Sequence, residues 1–200
     1  MSRLRSRAII GGLVVVLALG GLGAYIAEQP AIGSVAPDSA FGGGNYTLET
    51  GSGQPFTAAS LAGAPTMLFF GYTHCPDVCP TTMADMALWF HELGPDGKAL
   101  RAFFVSVDPT RDTPAVIHDY VKAVSDRITG VTGTPDEIAK IEKAWRVFSR
   151  KVPIAGTNDY TMDHTASVYL LNARGQFEDI IAYQDDDATA LNKLKKLLAG

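Results

Sequence analysis

The chain has 200 residues, of which 46% are hydrophobic and 19% are charged, and its formal net charge is −4. These values suit one globular domain with a short additional segment, and the lack of a basic stripe argues against a nucleic-acid partner. The two cysteines, Cys75 and Cys79, lie four positions apart. A scaffold held by disulfides would use several widely spaced pairs, so this pair indicates metal or redox chemistry.

Residues 1–27 predict a membrane anchor. Arg3, Arg5 and Arg7 precede 20 residues, 8–27, that carry no charge. A helix of that length spans about 30 Å, the thickness of a bilayer core. The arginines favour a cytoplasmic N-terminus, so we expect a single-pass protein of a bacterial inner membrane with its domain in the periplasm. A cleaved signal peptide is the alternative, although its apolar region would be shorter.

Residues 28–45 are rich in Gly, Ala, Pro and Ser without periodicity, and they predict a flexible linker. The domain, residues 46–200, is expected to open with a hairpin over residues 46–49 and 55–57. Compact apolar runs further on predict core strands, and apolar stripes at helical spacing predict helices. The expected core strands are residues 66–70, 100–107, 166–171 and 176–181, and the expected helices are residues 80–93, 134–148, 187–198 and one that begins near Pro114.

This order of elements predicts an α/β fold, namely a thioredoxin-like mixed sheet flanked by helices and preceded by the transmembrane helix. The strand over residues 66–70 leads into the loop with both cysteines, and the helix over residues 80–93 follows at once. The order alone is weak evidence for a thioredoxin-like fold. The position of the cysteines, between the first core strand and its helix, makes the prediction stronger.

Cys75 and Cys79 stand where a helix begins, so unpaired backbone N–H groups and the helix dipole stabilise a thiolate over a thiol. A thiolate is the form that binds metals and also the form that attacks disulfides. Disulfide exchange at a helix start usually uses two intervening residues. Three residues separate this pair and leave room for an ion between the sulfurs, for which Cu(I) or zinc would be the preferred metals.

Two ligands rarely suffice for a stable metal site, and His164 is the candidate for the third. It lies just before the strand over residues 166–171, in a loop that a thioredoxin-like fold brings beside the cysteines. Two thiolates and one imidazole suit copper, whereas structural zinc needs a fourth ligand, for which Asp163 is the obvious donor. We therefore predict a copper site formed by Cys75, Cys79 and His164.

Other possible ligands are less favoured. His74 precedes a proline in an extended segment and is expected to point away from the site. Met162, two residues before His164, stays a minor candidate. The remaining candidates are expected on helix surfaces (His91 and His118) or in the core (Met83 and Met86), where thioethers commonly fill space.

Three segments in this order are highly specific together: FFGYTHCPDVCPTTM (residues 69–83), FVSVDPTRDTP (residues 104–114) and YTMDHTASVYLL (residues 160–171). With them the chain resembles the Sco/SenC family of copper chaperones for cytochrome c oxidase assembly, over roughly residues 44–200. The resemblance implies a thioredoxin-like domain in which the two motif cysteines and the motif histidine bind copper.

Those family positions correspond to Cys75, Cys79 and His164 without substitution. The resemblance implies a metallochaperone that exchanges copper with other periplasmic copper carriers and serves the dinuclear copper centre in subunit II of cytochrome c oxidase. The family's Asp-Pro-x-Arg-Asp-Thr-Pro loop corresponds to residues 108–114, which we expect at the rim of the site.

Two enzymatic alternatives remain open. The main one is a thiol–disulfide oxidoreductase that reduces the oxidase's copper-ligand cysteines through a redox-active disulfide of Cys75 and Cys79. Exchangers of the thioredoxin type usually carry a proline before the strand that faces the cysteines, where this chain has His164. The second alternative is a peroxide-reducing thiol enzyme, which would need Thr73 and Arg111 beside an activated cysteine.

Overall fold

The computed structural model describes residues 41–200. The predicted anchor, residues 1–27, and residues 28–40 of the predicted linker lie outside the described residues. Between residues 41 and 200, no helix combines the length and the apolar character needed to cross a membrane.

Strands and helices alternate through most of this range, as the sequence predicts. The strands are β1 (Leu48–Thr50), β2 (Pro55–Phe56), β3 (Thr66–Gly71), β4 (Arg101–Ser106), β5 (Ile128–Thr132), β6 (Ser149–Pro153), β7 (Tyr160–His164), β8 (Val168–Leu171) and β9 (Phe177–Ile181). The α-helices are α1 (Val78–Leu93), α2 (Pro114–Lys122), α3 (Pro135–Trp145) and α4 (Asp187–Ala199).

Seven strands form one mixed sheet in the order β2–β1–β5–β4–β3–β8–β9. The central strands β3, β4 and β5 are parallel, whereas β1, β8 and β9 run antiparallel to their neighbours. Parallel neighbours need crossover connections, which α1 and α2 supply. The predicted mixed sheet is therefore confirmed.

Strand β3, which leads to the cysteines, is buried along its whole length, as expected for a strand covered on both faces. Helix α1, which follows the cysteines, buries Met83 and Met86 completely, so their predicted core role is confirmed. The same helix packs against α4, and the indole N–H of Trp89 donates to Asp187 at 3.0 Å. The elements on either side of the cysteines are thus well anchored.

Threonine side chains cap the N-termini of α2 and α3. The side chain of Thr113 accepts from the backbone N–H of Val116, and that of Thr134 accepts from Glu137. Helix α3 ends at Trp145, three residues before the predicted end. It stops because Arg146 adopts a left-handed conformation with φ of 53°, which turns the chain towards β6.

Strands β6 and β7 form a separate two-stranded sheet that the sequence did not predict. Residues 160–164 were expected in a loop, but they pair with Ser149–Pro153 as a hairpin. The sequence signal is weak because β6 is largely exposed and does not alternate between apolar and polar residues. Strand β7 contributes Met162 to the hydrophobic core, which accords with the usual packing role of a thioether.

The last residues of the predicted linker contact the domain. The ring of Phe41 packs edge-on against Trp145, with 5.4 Å between centroids. The backbone N–H of Gly42 donates to the carbonyl of Ala144 at 2.9 Å. Packed structure therefore extends at least to residue 41 on the N-terminal side.

Candidate metal centre

Cys75 and Cys79 lie at the end of the central strand β3, one in the connecting loop and one in the first turn of α1. The backbone N–H of Cys79 donates to the sulfur of Cys75 at 3.3 Å. The backbone N–H of Cys75 donates to the carbonyl of Tyr72 at 3.2 Å, which fixes the loop. Cys75 is half-buried and Cys79 is buried, so only one of the two sulfurs faces the surface.

His164 is the last residue of β7, and the fold places it against the cysteines although 85 positions separate it from Cys79. Its Nε2 lies 3.4 Å from the sulfur of Cys79, and its Nδ1 lies 3.0 Å from the carbonyl oxygen of Thr165. Because a carbonyl can only accept, we assign the ring proton to Nδ1. This tautomer leaves the lone pair of Nε2 directed at the sulfurs, as a metal ligand requires.

The three predicted residues form one compact group. The two sulfurs and one ring nitrogen of Cys75, Cys79 and His164 all lie within 4.8 Å of one another, a spacing that could hold a metal ion. The rings of Tyr72 and Phe69 pack edge-on against the imidazole, at centroid distances of 5.7 and 6.3 Å. These apolar neighbours limit how far the imidazole can rotate.

The other predicted candidates lie apart from this group. Asp163, the possible fourth ligand for zinc, pairs with Arg150 on the exposed side of the hairpin. His74 is exposed beside Thr73, with 3.0 Å between Nδ1 and Oγ1. His91 is exposed as predicted, whereas His118 is half-buried. With Asp163 outside the group, the geometry fits a three-coordinate metal better than structural zinc.

The loop over residues 108–114 holds the cysteine loop (residues 72–77, which include Cys75) in place and does not merely border it. The buried carboxylate of Asp112 accepts hydrogen bonds from the backbone N–H of Thr73 at 3.1 Å, the hydroxyl of Thr73 at 2.6 Å and the hydroxyl of Ser106 at 2.6 Å. Burial raises the pKa of Asp112. The sequence analysis missed this role, although an acidic residue shortly after a buried strand could have indicated it.

The pKa values of the two thiols are shifted in opposite directions. The hydrogen bond from Cys79 lowers the pKa of Cys75 to about 3, and the backbone N–H of Cys79 also stabilises the Cys75 thiolate. The pKa of Cys79 is raised, because this thiol is hydrogen-bonded to the Cys75 sulfur and is buried. In the reduced protein Cys75 is thus the thiolate and Cys79 the thiol.

Alkylation of reduced protein by iodoacetamide should therefore occur at Cys75 with little change in rate between pH 7 and pH 5. The thiolate is lost only when the pH falls towards about 3, whereas a thiol with an ordinary pKa near 8.5 would slow about a hundredfold over that range. Mass spectrometry of the alkylated peptide distinguishes the two cysteines. A rate that falls tenfold per pH unit would contradict the lowered pKa.

Together these features define a class of protein. Its members have a central mixed sheet, and two thiols and one imidazole, which could hold a metal ion, lie close together at the end of a central strand. The sequence model of one family, SCO1/SenC, matches residues 35–199. The chain belongs to the SCO1/SenC family, which confirms the resemblance found in its three motifs.

Among curated relatives, the mitochondrial SCO2 protein of Saccharomyces cerevisiae is 33% identical over 194 residues, which cover 92% of this chain and 64% of that protein. The mitochondrial SCO1 homologue of Homo sapiens is 37% identical over 142 residues, which cover 68% of this chain and 46% of that protein. The chain thus spans about half to two thirds of the length of the curated relatives it matches.

A solved structure of ScoI from Bradyrhizobium japonicum with copper bound is 41% identical, with a TM-score of 0.72 over 79% of this chain and 99% of that chain. This likeness confirms the thioredoxin-like α/β fold. The family therefore has a member whose structure contains copper, and this chain has a group of two cysteines and one histidine able to bind a metal ion.

Proposed function

We propose that this protein is a copper metallochaperone that carries one copper ion on Cys75, Cys79 and His164. In this proposal it delivers the ion to the dinuclear copper centre of cytochrome c oxidase subunit II. The main support is the convergence of two sulfurs and one imidazole nitrogen within 4.8 Å. Two soft sulfur ligands favour Cu(I) over harder cations, and a site with few protein ligands suits a donor that must release its cargo.

The protonation of the group favours capture of copper. Cys75 is already a thiolate, because its pKa is lowered to about 3, so its half-buried sulfur can meet the incoming ion without first losing a proton. Cys79 is protonated and releases its proton when the second sulfur–copper bond forms. His164 then contributes the Nε2 lone pair, which its Nδ1 contact with Thr165 orients.

The proposed organisation is a membrane anchor over residues 1–27, a linker over residues 28–45 and a copper-binding domain over residues 46–200. The last residues of the linker, from residue 41, pack on the domain. The anchor would hold the domain on the periplasmic side of a bacterial inner membrane. Tethering raises the effective concentration of the domain near a membrane-bound client. The proposed partners are subunit II of the oxidase and other periplasmic copper carriers, with no role for nucleic acid.

Replacing His164 by alanine should weaken Cu(I) binding by more than about a hundredfold, because loss of a ligand should exceed the 10–100-fold effect of losing an outer-shell partner. The measurement is an anaerobic titration of the reduced full-length protein in competition with a chromophoric chelator. The exposed His91, replaced by alanine, is the matched control. Unchanged affinity in His164→Ala would refute the ligand assignment.

A thiol–disulfide oxidoreductase is the second candidate function, and the pairing of a Cys75 thiolate with a neighbouring Cys79 thiol favours it. Copper binding and the disulfide exclude each other, so one protein could have both roles. The His164→Ala variant separates them, because disulfide formation needs only the thiols and should proceed normally. The peroxide-reducing alternative gains no support, since Thr73 is hydrogen-bonded to Asp112 and Arg111 is paired with Asp108.

A further inference from the structure

The hairpin of β6 and β7 carries His164 but is not part of the main sheet. At the open end of the hairpin, the backbone N–H of Thr165 donates to the carbonyl of Phe148 at 3.0 Å. This closing bond joins the residue before β6 to the residue after β7. Strand pairing and this closing bond therefore hold the hairpin together. They do not determine where it lies relative to the cysteines, which belong to a different part of the fold.

Arg111, from the loop after β4, connects that loop to the hairpin. Its Nε donates to the buried carboxylate of Asp108 at 2.5 Å. One terminal nitrogen donates to the side chain of Asp159 and to the carbonyl of Tyr160, both at 3.0 Å. The hydroxyl of Tyr160 in turn donates to Asp108 at 2.8 Å. One guanidinium thus links the rigid end of β4 to the start of β7.

Aromatic rings extend this connection towards the imidazole. The guanidinium of Arg111 stacks on the ring of Tyr160 at 3.8 Å and faces the ring of Tyr72 at 5.7 Å. The hydroxyls of Tyr72 and Thr161 share a hydrogen bond of 2.6 Å. The ring of Tyr72 also contacts His164 edge-on. A shift of the hairpin away from Arg111 would consequently move the imidazole away from the sulfurs.

We propose that Arg111 is a positioning residue that, by holding the β6–β7 hairpin against Asp108, keeps His164 within bonding distance of a copper ion on Cys75 and Cys79. This proposal rests on the proposed copper-carrying function. Its physical basis is that the side chain of Asp108 is completely buried and that of Arg111 only 15% exposed. Charge-assisted hydrogen bonds at such a site are stronger than those between neutral groups.

The first test compares hydrogen–deuterium exchange in the reduced, metal-free full-length protein and in its Arg111→Met variant. We expect amides of residues 160–165 to exchange about tenfold faster or more in the variant, because several charge-assisted bonds are lost there. Amides of β3 and α1 should be unchanged. Arg127→Met is the matched control, since Arg127 also stacks on a ring, that of Phe90, at 3.9 Å and donates to two carbonyls.

The second test uses copper. In the Cu(II)-loaded Arg111→Met variant, the nitrogen hyperfine coupling of the imidazole should decrease, while sulfur-to-copper charge-transfer absorption persists. Cu(I) affinity should fall about tenfold, at the lower end of the effect of losing a ligand-orienting residue. A merely structural role for Arg111 would lower stability without changing the nitrogen coupling, so a folded variant with unchanged coupling overturns the proposal.

Asp159→Asn provides a second, milder variant, because Asp159 is 63% exposed and its replacement leaves the pairing of Arg111 with Asp108 in place. We expect a smaller increase in exchange confined to the hairpin. If Arg111→Met does not fold, Asp159→Asn provides the test of the proposal. Unchanged hydrogen exchange in the hairpin of this variant then overturns the proposal. If the wild-type protein binds no copper, the proposed function fails by itself, while the metal-free exchange experiment still reports on Arg111.

Discussion

Replacing Cys79 by serine should lower the affinity of the reduced protein for Cu(I) by more than about a hundredfold, since even outer-shell partners of a metal cost 10–100-fold when removed. Serine has nearly the same shape, but its hydroxyl is a hard donor that stays protonated, so a copper ion at the proposed site would lose one of its two sulfur ligands. Cys79 is fully buried beside His164, so solvent cannot readily replace the lost sulfur. Anaerobic competition with a chromophoric chelator measures the effect.

The matched control is Met83→Leu. Met83 lies one turn further along α1, contains sulfur and is completely buried in the core. A leucine of similar volume keeps the packing, so copper affinity should not change. If Met83→Leu weakened copper binding while Cys79→Ser did not, the assignment of ligands on this helix would be wrong.

Replacing Gly71 by alanine should destabilise the fold by about 1–3 kcal/mol, the usual result of adding volume to a packed core. Gly71 ends β3, and a Cβ there would lie 2.8 Å from the sulfur of Cys79 and 2.7 Å from the ring of Phe104. Cys79 or Phe104 must move, so we also expect weaker copper binding. Denaturant unfolding and the Cu(I) titration measure the two effects separately.

Gly53→Ala serves as the control for this substitution. Gly53 has φ of +78°, and no atom lies within 4 Å of an added Cβ. Its replacement should cost only the left-handed backbone penalty of about 1–2 kcal/mol, with no change in copper affinity. Wild-type stability and affinity in Gly71→Ala would show that Cys79 and Phe104 can shift freely, contrary to their close packing against Gly71.

The fold was largely predictable because its central elements have strong local signals. Strand β3 is a continuous apolar run, and α1 has an apolar stripe at helical spacing. Thr113 and Thr134 precede prolines and cap their helices. The hairpin of β6 and β7 was missed because its first strand is mostly polar and exposed. Its stability comes from pairing and from contacts with distant residues, which no local pattern encodes.

For the candidate site, the sequence predicted which residues belong together but not how they are held. Cys75 and Cys79 could be assigned to a helix start, and the motifs that resemble the family indicated His164. The loop over residues 108–114 was expected only at the rim, whereas Asp112 in fact accepts three hydrogen bonds that anchor the cysteine loop. The partners of Arg111 could not be predicted, because Asp159 and Tyr160 lie almost 50 positions away.

By itself the sequence determined the spacing of the two sulfurs and the strand and helix that carry them, since these depend on neighbouring residues. Only the tertiary structure decided that an imidazole lies 3.4 Å from Cys79, that Cys75 is the stronger acid and that an arginine links the hairpin to β4. These properties depend on distances and burial between separate segments. Such distances arise only when the whole sheet and the hairpin pack together.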